Sequence, residues 1–236
     1  MSLIRSKSEL SLTEPKRTYD GMLQLIIGPM FSGKTTELIR IIRRYNVSTF
    51  KTLILKYTLD TRYSEKLATH DKIQYEAVPT MKLNDVLETA LKYDVIGIDE
   101  GQFFTDLFDF VKTLLEYGKR VVIAGLDGNY KQQPFGQILQ LIPLADSVKK
   151  LRAICVCCNH DASFSHRTTS EEKEQVIGGA ESYVAMCRRC LSVVQSGKFD
   201  LNEWTRQVHT KKLNRRLAEE SSLCLSSLEN VPSQIE

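Results

Sequence analysis

The sequence predicts an α/β domain with a mainly parallel sheet, joined to a small module held by metal. Three observations carry that expectation. An apolar run, Met22–Ile27, enters the segment GPMFSGKT, which has the form G-x-x-x-x-G-K-[ST], and a helical pattern follows it. Downstream, short apolar runs alternate with helical periodicity, as βαβ units do. Between Cys155 and Cys190 the chain becomes polar and carries two C-x-x-C pairs.

Taken in order, Met22–Ile27 reads as a buried strand. The segment Gly28, Pro29, Met30, Phe31, Ser32, Gly33, Lys34 and Thr35 reads as a phosphate loop. Its glycines let backbone N–H groups turn inward around phosphate oxygens, and the positive end of the next helix points at the same spot. Lys34 is expected to reach the outer phosphates of a nucleotide, and Thr35 to offer its hydroxyl to Mg2+. Leu38, Ile41, Ile42 and Tyr45 recur at helical spacing. Thr52–Leu55 reads as a second strand and Leu83–Tyr93 as a helix. Val95–Ile98 and Arg120–Ala124 read as further strands, with a helix between them marked by Leu107, Val111, Leu114 and Leu115. Helices are expected on both faces of the sheet.

Val95–Ile98 ends in Asp99 and Glu100, the form of the acidic partner of a phosphate loop. Ligands of open α/β sheets bind outside the carboxyl ends of the strands, so Asp99 and the loop are expected to meet there. Asp99 then holds Mg2+, directly or through water. Glu100 can accept a proton from an attacking hydroxyl or water. Two classes fit this much: an ATPase whose Glu activates water, and a kinase whose Glu activates a substrate alcohol.

Five of the six cysteines fall between Cys155 and Cys190, and clustering of this kind without a secretion signal points to metal rather than disulfides. Two C-x-x-C pairs supply four thiolates, a full tetrahedral Zn2+ shell. The two-residue spacing favours Cys155 and Cys158 with Cys187 and Cys190, leaving Cys157 an alternative and His160 and His166 fallback ligands. A closed shell of four thiolates has no open position, so the zinc is expected to be structural. The pairs are 28 residues apart, more than the roughly 15–20 usual, which implies a long loop tied at its base.

The 236-residue chain is 42% hydrophobic, enough for a packed core. Its net charge of +3 is spread along the chain, which argues against a dedicated nucleic-acid surface. No apolar run is long enough to span a membrane, and the N-terminus has neither the apolar centre of a secretory signal nor the acid-poor composition of a transit peptide. A cytoplasmic protein is expected. The division expected is a flexible arm at 1–20, a phosphate-loop domain at 21–150, a metal-binding module at 151–192 and a charged, largely disordered tail at 193–236.

The segments GPMFSGKTTEL, DTRYS, THD, VIGIDEGQFF, LDGNYKQQPFG and VIGGAESY, with the two C-x-x-C pairs, closely resemble the cytosolic (type II) thymidine kinase family over about Gly21 to Leu191. The resemblance implies a RecA-like domain and a zinc-tied lasso loop over the nucleoside. It also implies a homotetramer and transfer of the γ-phosphate of ATP to the 5′-hydroxyl of thymidine, and of deoxyuridine, in nucleotide salvage for DNA synthesis. Thymidine triphosphate is the implied feedback inhibitor. A zinc-bearing RecA-like ATPase acting on DNA is the alternative from another class.

Carried over by position, the resemblance implies that Gly28 to Thr35, with Asp60, Thr61, Arg62, Asp99, Glu100, Gly101 and Gln102, hold ATP and Mg2+. Glu100, Lys34 and Arg62 become the catalytic candidates, with Glu100 as base. Met30, Phe103, Leu126, Tyr130, Phe135, Ser165 and Tyr183 surround the nucleoside. Main-chain groups of Glu174, Gln175, Val176, Ile177 and Gly178 read the thymine edge, whose alternating acceptors and donor suit backbone partners. Tyr130 stands where the family commonly has Phe, and Ser165 where Thr is usual.

Overall fold

A computed structural model describes residues 21–58, 66–68, 74–168 and 182–197. The expected arm at 1–20, the tail from 198 onward, Asp60, Thr61, Arg62 and the loop positions Glu174 to Gly178 lie outside the described residues. In chain order the elements are β1 (Met22–Ile27), α1 (Lys34–Asn46), β2 (Thr52–Tyr57), β3 (Lys66–Ala68), β4 (Gln74–Glu76), β5 (Val78–Thr80), α2 (Leu87–Ala90), β6 (Val95–Ile98), α3 (Leu107–Glu116), β7 (Arg120–Gly125), β8 (Ser147–Lys150), β9 (Ala153–Ile154), β10 (Asp161–Ala162), β11 (Phe164–Arg167), β12 (Tyr183–Met186) and α4 (Arg188–Gln195). Short 3-10 turns occupy Leu83–Val86, Gly101–Phe103 and Ile138–Leu144.

Two compact units arise. The first comprises described residues 21–27, 33–127 and 134–150; the second comprises 28–32, 128–133 and the described residues from Leu151 on. The first is built on a six-stranded sheet of order β5-β2-β6-β7-β1-β8, in which every neighbouring pair is parallel. Strand β7 lies between β1 and β6, with Ile27 beside Gly125 and Ile98 beside Ile123, so the carboxyl ends of the three strands share one edge.

Strand residues alternate between faces. Leu23, Leu25 and Ile27 of β1, Leu53 and Leu55 of β2, Ile96 and Ile98 of β6 and Val121 and Ile123 of β7 form one buried cluster with Leu107, Phe110, Val111 and Leu114 of α3. On the opposite face Gly97 of β6 meets Leu38 and Ile42 of α1. Helices therefore cover both faces, as the alternation of elements requires. The buried face of α1 is Lys34, Leu38, Ile39 and Ile42; Ile41 and Tyr45 lie at its margin, so the apolar stripe is rotated from the one read in the sequence.

One expected helix is different. Leu83–Tyr93 forms a 3-10 turn and then the four-residue α2. Asp106 accepts a hydrogen bond from the Asn84 N–H at 2.9 Å, and Leu83 and Ala90 are fully buried. Tertiary anchors at both ends thus override the weak helical preference of Asn84, Asp85, Val86 and Thr89. The edge strand β8 was not anticipated either, because its Ser-Val-Lys-Lys sequence is exposed throughout and shows no alternation. Such lysines protect an edge from pairing with other chains. Lys149 of β8 also reaches Glu37 of α1 at 2.8 Å, and Glu37 receives Arg40 in a two-pronged pair at 2.6 and 2.8 Å.

The second unit holds the antiparallel pairs β9–β10 and β11–β12 and the helix α4. Its core is small: Ala153, Cys155, Ala162, Ala185, Met186 and Leu191, with Phe31, Phe164 and the remaining cysteines packed against it. So few apolar residues leave such a unit in need of a staple. Among the described residues, no helix is long and apolar enough to cross a membrane.

Candidate active site and cysteine centre

In the first unit, Lys34 and Thr35 open α1, whose N-cap Gly33 has φ 81. The Thr35 hydroxyl lies 3.1 Å from both Asp99 oxygens. Oxygen ligands on adjacent vertices of an octahedral Mg2+ shell are about 3.0 Å apart, since each sits ~2.1 Å from the ion. Two hard oxygen donors at this spacing fit Mg2+. Asp99 is 5% exposed and its N–H bonds the Leu55 carbonyl at 2.9 Å, so the strand end holds it firmly.

Glu100 follows with φ 53, a left-handed conformation that non-glycine residues seldom adopt. Strain of this kind collects at functional sites. The turn it begins, Gly101–Phe103, brings Gln102 back so that its amide Nε2 donates to Glu100 Oε2 at 2.6 Å. Gln102 Oε1 accepts from the Leu126 N–H at 2.9 Å. Phe103 stacks on Tyr57 with centroids 5.3 Å apart and meets Phe135 edge-on at 5.6 Å. Lys34, Thr35, Asp99, Glu100, Gln102, Phe103, Leu126 and Phe135 are thereby assembled in one unit.

The second unit gathers Met30, Tyr130, Ser165 and Tyr183. The Met30 N–H donates to Ser165 Oγ at 2.9 Å, and Ser32 Oγ donates to the Pro29 carbonyl at 2.8 Å. Gly28 packs closely on the Leu151 carbonyl. Phe31 packs against the cysteine core. Tyr183, 7% exposed, accepts from Arg167 Nε and Nη2 at 3.2 and 2.6 Å through its hydroxyl. The same guanidinium carbon stands 3.9 Å from the centre of the Tyr130 ring, within cation–π range. Asn129 pins the Tyr130 loop, its Oδ1 accepting from Lys131 and Gln133 N–H groups at 2.9 and 3.0 Å.

Sequence reading missed Arg167, Asn129 and Lys56. Arg167 lies two residues after Ser165 on β11, hence on the same strand face, and that alternation was a usable signal. Lys56 is 8% exposed near the end of β2, a lysine within an apolar run.

Cys155, Cys158, Cys187 and Cys190 have sulfurs all within 4.8 Å of one another. With Zn–S near 2.3 Å, tetrahedral thiolates sit about 3.8 Å apart. The Cys158 and Cys187 sulfurs are 3.6 Å apart, so the set fits Zn2+. Cys157, His160 and His166 are not in the cluster. His160 instead faces the Cys158 carbonyl at 3.0 Å. Burial raises the Cys155 thiol, but backbone hydrogen bonds from Cys187, Cys158 and Cys157 outweigh it and bring it down to about 6. Burial and the neighbouring sulfurs push Cys190 well up.

The family model for thymidine kinase matches residues 21–191 of this chain. The chain belongs to the thymidine kinase family. The human protein "Thymidine kinase, cytosolic" is 48% identical over 178 residues, which cover 75% of this chain and 76% of the human one. The thymidine kinase of variola virus is 51% identical over 170 residues, covering 72% of this chain and 96% of the viral one. The bovine protein "Thymidine kinase, cytosolic" is 47% identical over 178 residues and 75% of either chain. As a thymidine kinase family member, the chain is a phosphotransferase acting on thymidine with ATP as the phosphoryl source, and the DNA-acting ATPase is not favoured.

Proposed function

We propose that this chain transfers the γ-phosphate of ATP to the 5′-hydroxyl of thymidine, and of deoxyuridine, with Glu100 as general base. The observation that carries the reading is the Thr35 hydroxyl against the Asp99 carboxylate at 3.1 Å, with Glu100 the next residue. Backbone N–H groups of Gly28 to Thr35 would cradle the phosphates, and Lys34 would hold the outer ones. Mg2+, held by Thr35 and Asp99, would neutralise the phosphate charge. As the 5′-oxygen bonds to the γ-phosphorus and the bond to the bridging oxygen of ADP breaks, the hydroxyl proton passes to the Glu100 carboxylate. Arg62, with Asp60 and Thr61, is proposed to complete the phosphate site.

The nucleoside contacts are proposed to be Phe103, Leu126 and Phe135 from the first unit, Met30, Tyr130, Ser165 and Tyr183 from the second, and backbone groups of Glu174 to Gly178. A pocket for the thymine methyl contributes only ~1–3 kcal/mol, so base selection rests on polar groups. Zn2+ on Cys155, Cys158, Cys187 and Cys190 is proposed to tie the base of that loop. A homotetramer, inhibition by thymidine triphosphate, a cytoplasmic location and no nucleic-acid partner complete the reading. The domain division at 20, 150 and 192 is part of it.

Incubation with ATP, Mg2+ and thymidine should yield thymidine monophosphate and ADP in equal amounts. ADP without thymidine monophosphate, stimulated by single-stranded DNA, would overturn the reading in favour of the ATPase.

A further inference from the structure

We infer that Gln102 is a positioning residue for Glu100: its side-chain amide holds the carboxylate in the orientation that receives the 5′-hydroxyl proton and ties it to the backbone of Leu126. The inference rests on the reading of Glu100 as base. The orientation of the amide is forced. Leu126 N–H can only donate, so the oxygen facing it at 2.9 Å must be Oε1, and Nε2 is left to donate to Glu100 Oε2 at 2.6 Å.

The surroundings fix the amide in place. Gln102 is 2% exposed. Gly125 and Gly136 stand against it: a Cβ at Gly125 would come within 2.7 Å of Gln102 Oε1, and one at Gly136 within 2.1 Å of the Gln102 carbonyl oxygen. Bonded at both ends, the amide acts as a strut, and the strut connects two functions, because Leu126 is a proposed nucleoside contact and Glu100 the proposed base. The left-handed backbone of Glu100 is what folds its carboxylate back toward a residue only two places on.

A hydrogen bond donated to one carboxylate oxygen fixes the orientation of the group. Removing the donor therefore loosens the hold on the Glu100 carboxylate at the place where it is to meet the 5′-hydroxyl. Lys34 at the head of α1, Lys56 near the end of β2, Asp99 and the Asp127–Lys150 pair are among the charges at this edge of the first unit. They are the same in every variant below, so they cancel in comparison.

The test is kcat for thymidine phosphorylation in the presence of Mg2+, with KM for thymidine and KM for ATP, for wild type, Gln102→Glu and Gln102→Met, each also combined with Glu100→Gln. Gln102→Glu keeps the shape and the acceptor for Leu126 but replaces the donor with a like charge, and it remains informative if Gln102→Met fails to fold. Both variants should lose ~10-fold or more in kcat at pH 7, with KM for thymidine and KM for ATP within a few-fold of wild type. In the Glu100→Gln background the same substitutions should change kcat by less than about 2-fold. Normal kcat, or a loss confined to KM for ATP, overturns the positioning role while leaving the base reading intact. The full loss reappearing without Glu100 overturns it as well. Near-wild-type turnover of Glu100→Gln alone overturns the base reading, and this inference with it.

Discussion

Gly136→Ala tests how tightly the Gln102 strut is held. Gly136 has φ 60, and an added Cβ would lie 2.1, 2.9 and 3.1 Å from the carbonyl oxygen, carbonyl carbon and Cα of Gln102. The left-handed conformation costs an L-residue about 1–2 kcal/mol. The obstructing atoms are backbone, so the contact cannot be relieved by a rotamer change, and overpacking adds about 1–3 kcal/mol. The expected loss is about 2–5 kcal/mol. Gly33→Ala supplies the control, because Gly33 has φ 81 but no heavy atom within 4 Å of its would-be Cβ. Its loss should stop at about 1–2 kcal/mol. Urea unfolding followed by far-ultraviolet circular dichroism compares the two, provided the slopes of the transitions agree. Equal midpoints for the two variants would refute the claim that the Gln102 backbone is immovable.

Other expectations follow from the same geometry. Glu100→Gln should lower kcat by ~100-fold or more with thymidine affinity little changed, read by steady-state kinetics and calorimetry. Cys187→Ser should weaken thymidine binding far more than ADP binding, as measured by separate titrations, because metal affinity is also ordering free energy for the segment it ties. Equal loss of both would assign the metal to the whole fold. Arg40, burial and Lys149 act together on Glu37, and the net effect lowers its carboxyl from the ordinary 4.5 to about 2. A lowered folded pKa contributes stability above the unfolded value that is lost as pH falls through the folded one. The stability difference between wild type and Glu37→Gln should therefore shrink between about pH 5 and pH 2, and a constant difference across that range would contradict the pairing.

The phosphate-loop region was legible because motif and periodicity coincide there: Met22–Ile27 was read with the bounds it has, and a helix does follow the loop. Buried central strands announce themselves as apolar runs, so β2, β6 and β7 were also found, each to within two residues at its ends. Elements without a buried face were not. Strand β8 is exposed and charged, and β9 to β12 are two to four residues long, too short for alternation to register. The cysteine quartet could be read from spacing, since a tight turn aims both thiolates of a C-x-x-C pair one way. What spacing could not give was the wiring between candidates. That Gln102 joins Glu100 to Leu126, or that Arg167 joins Tyr130 to Tyr183, depends on pairings across 16 to 37 residues of chain, which local pattern does not encode.

The chain passes from one unit to the other after residues 27, 32, 127, 133 and 150. The phosphate loop is itself divided: Gly28 to Ser32 pack with the cysteine-bearing unit, where the Met30 N–H is held by Ser165, while Gly33 to Thr35 belong to the sheet. No single cut yields two self-sufficient pieces. A fragment ending at Lys150 would retain 28–32 and 128–133 without the residues they pack on, and a cysteine module beginning at Leu151 would lack Phe31 from its core. Grafting that module from a relative would require exchanging Gly28 to Ser32 and the Tyr130 loop along with it.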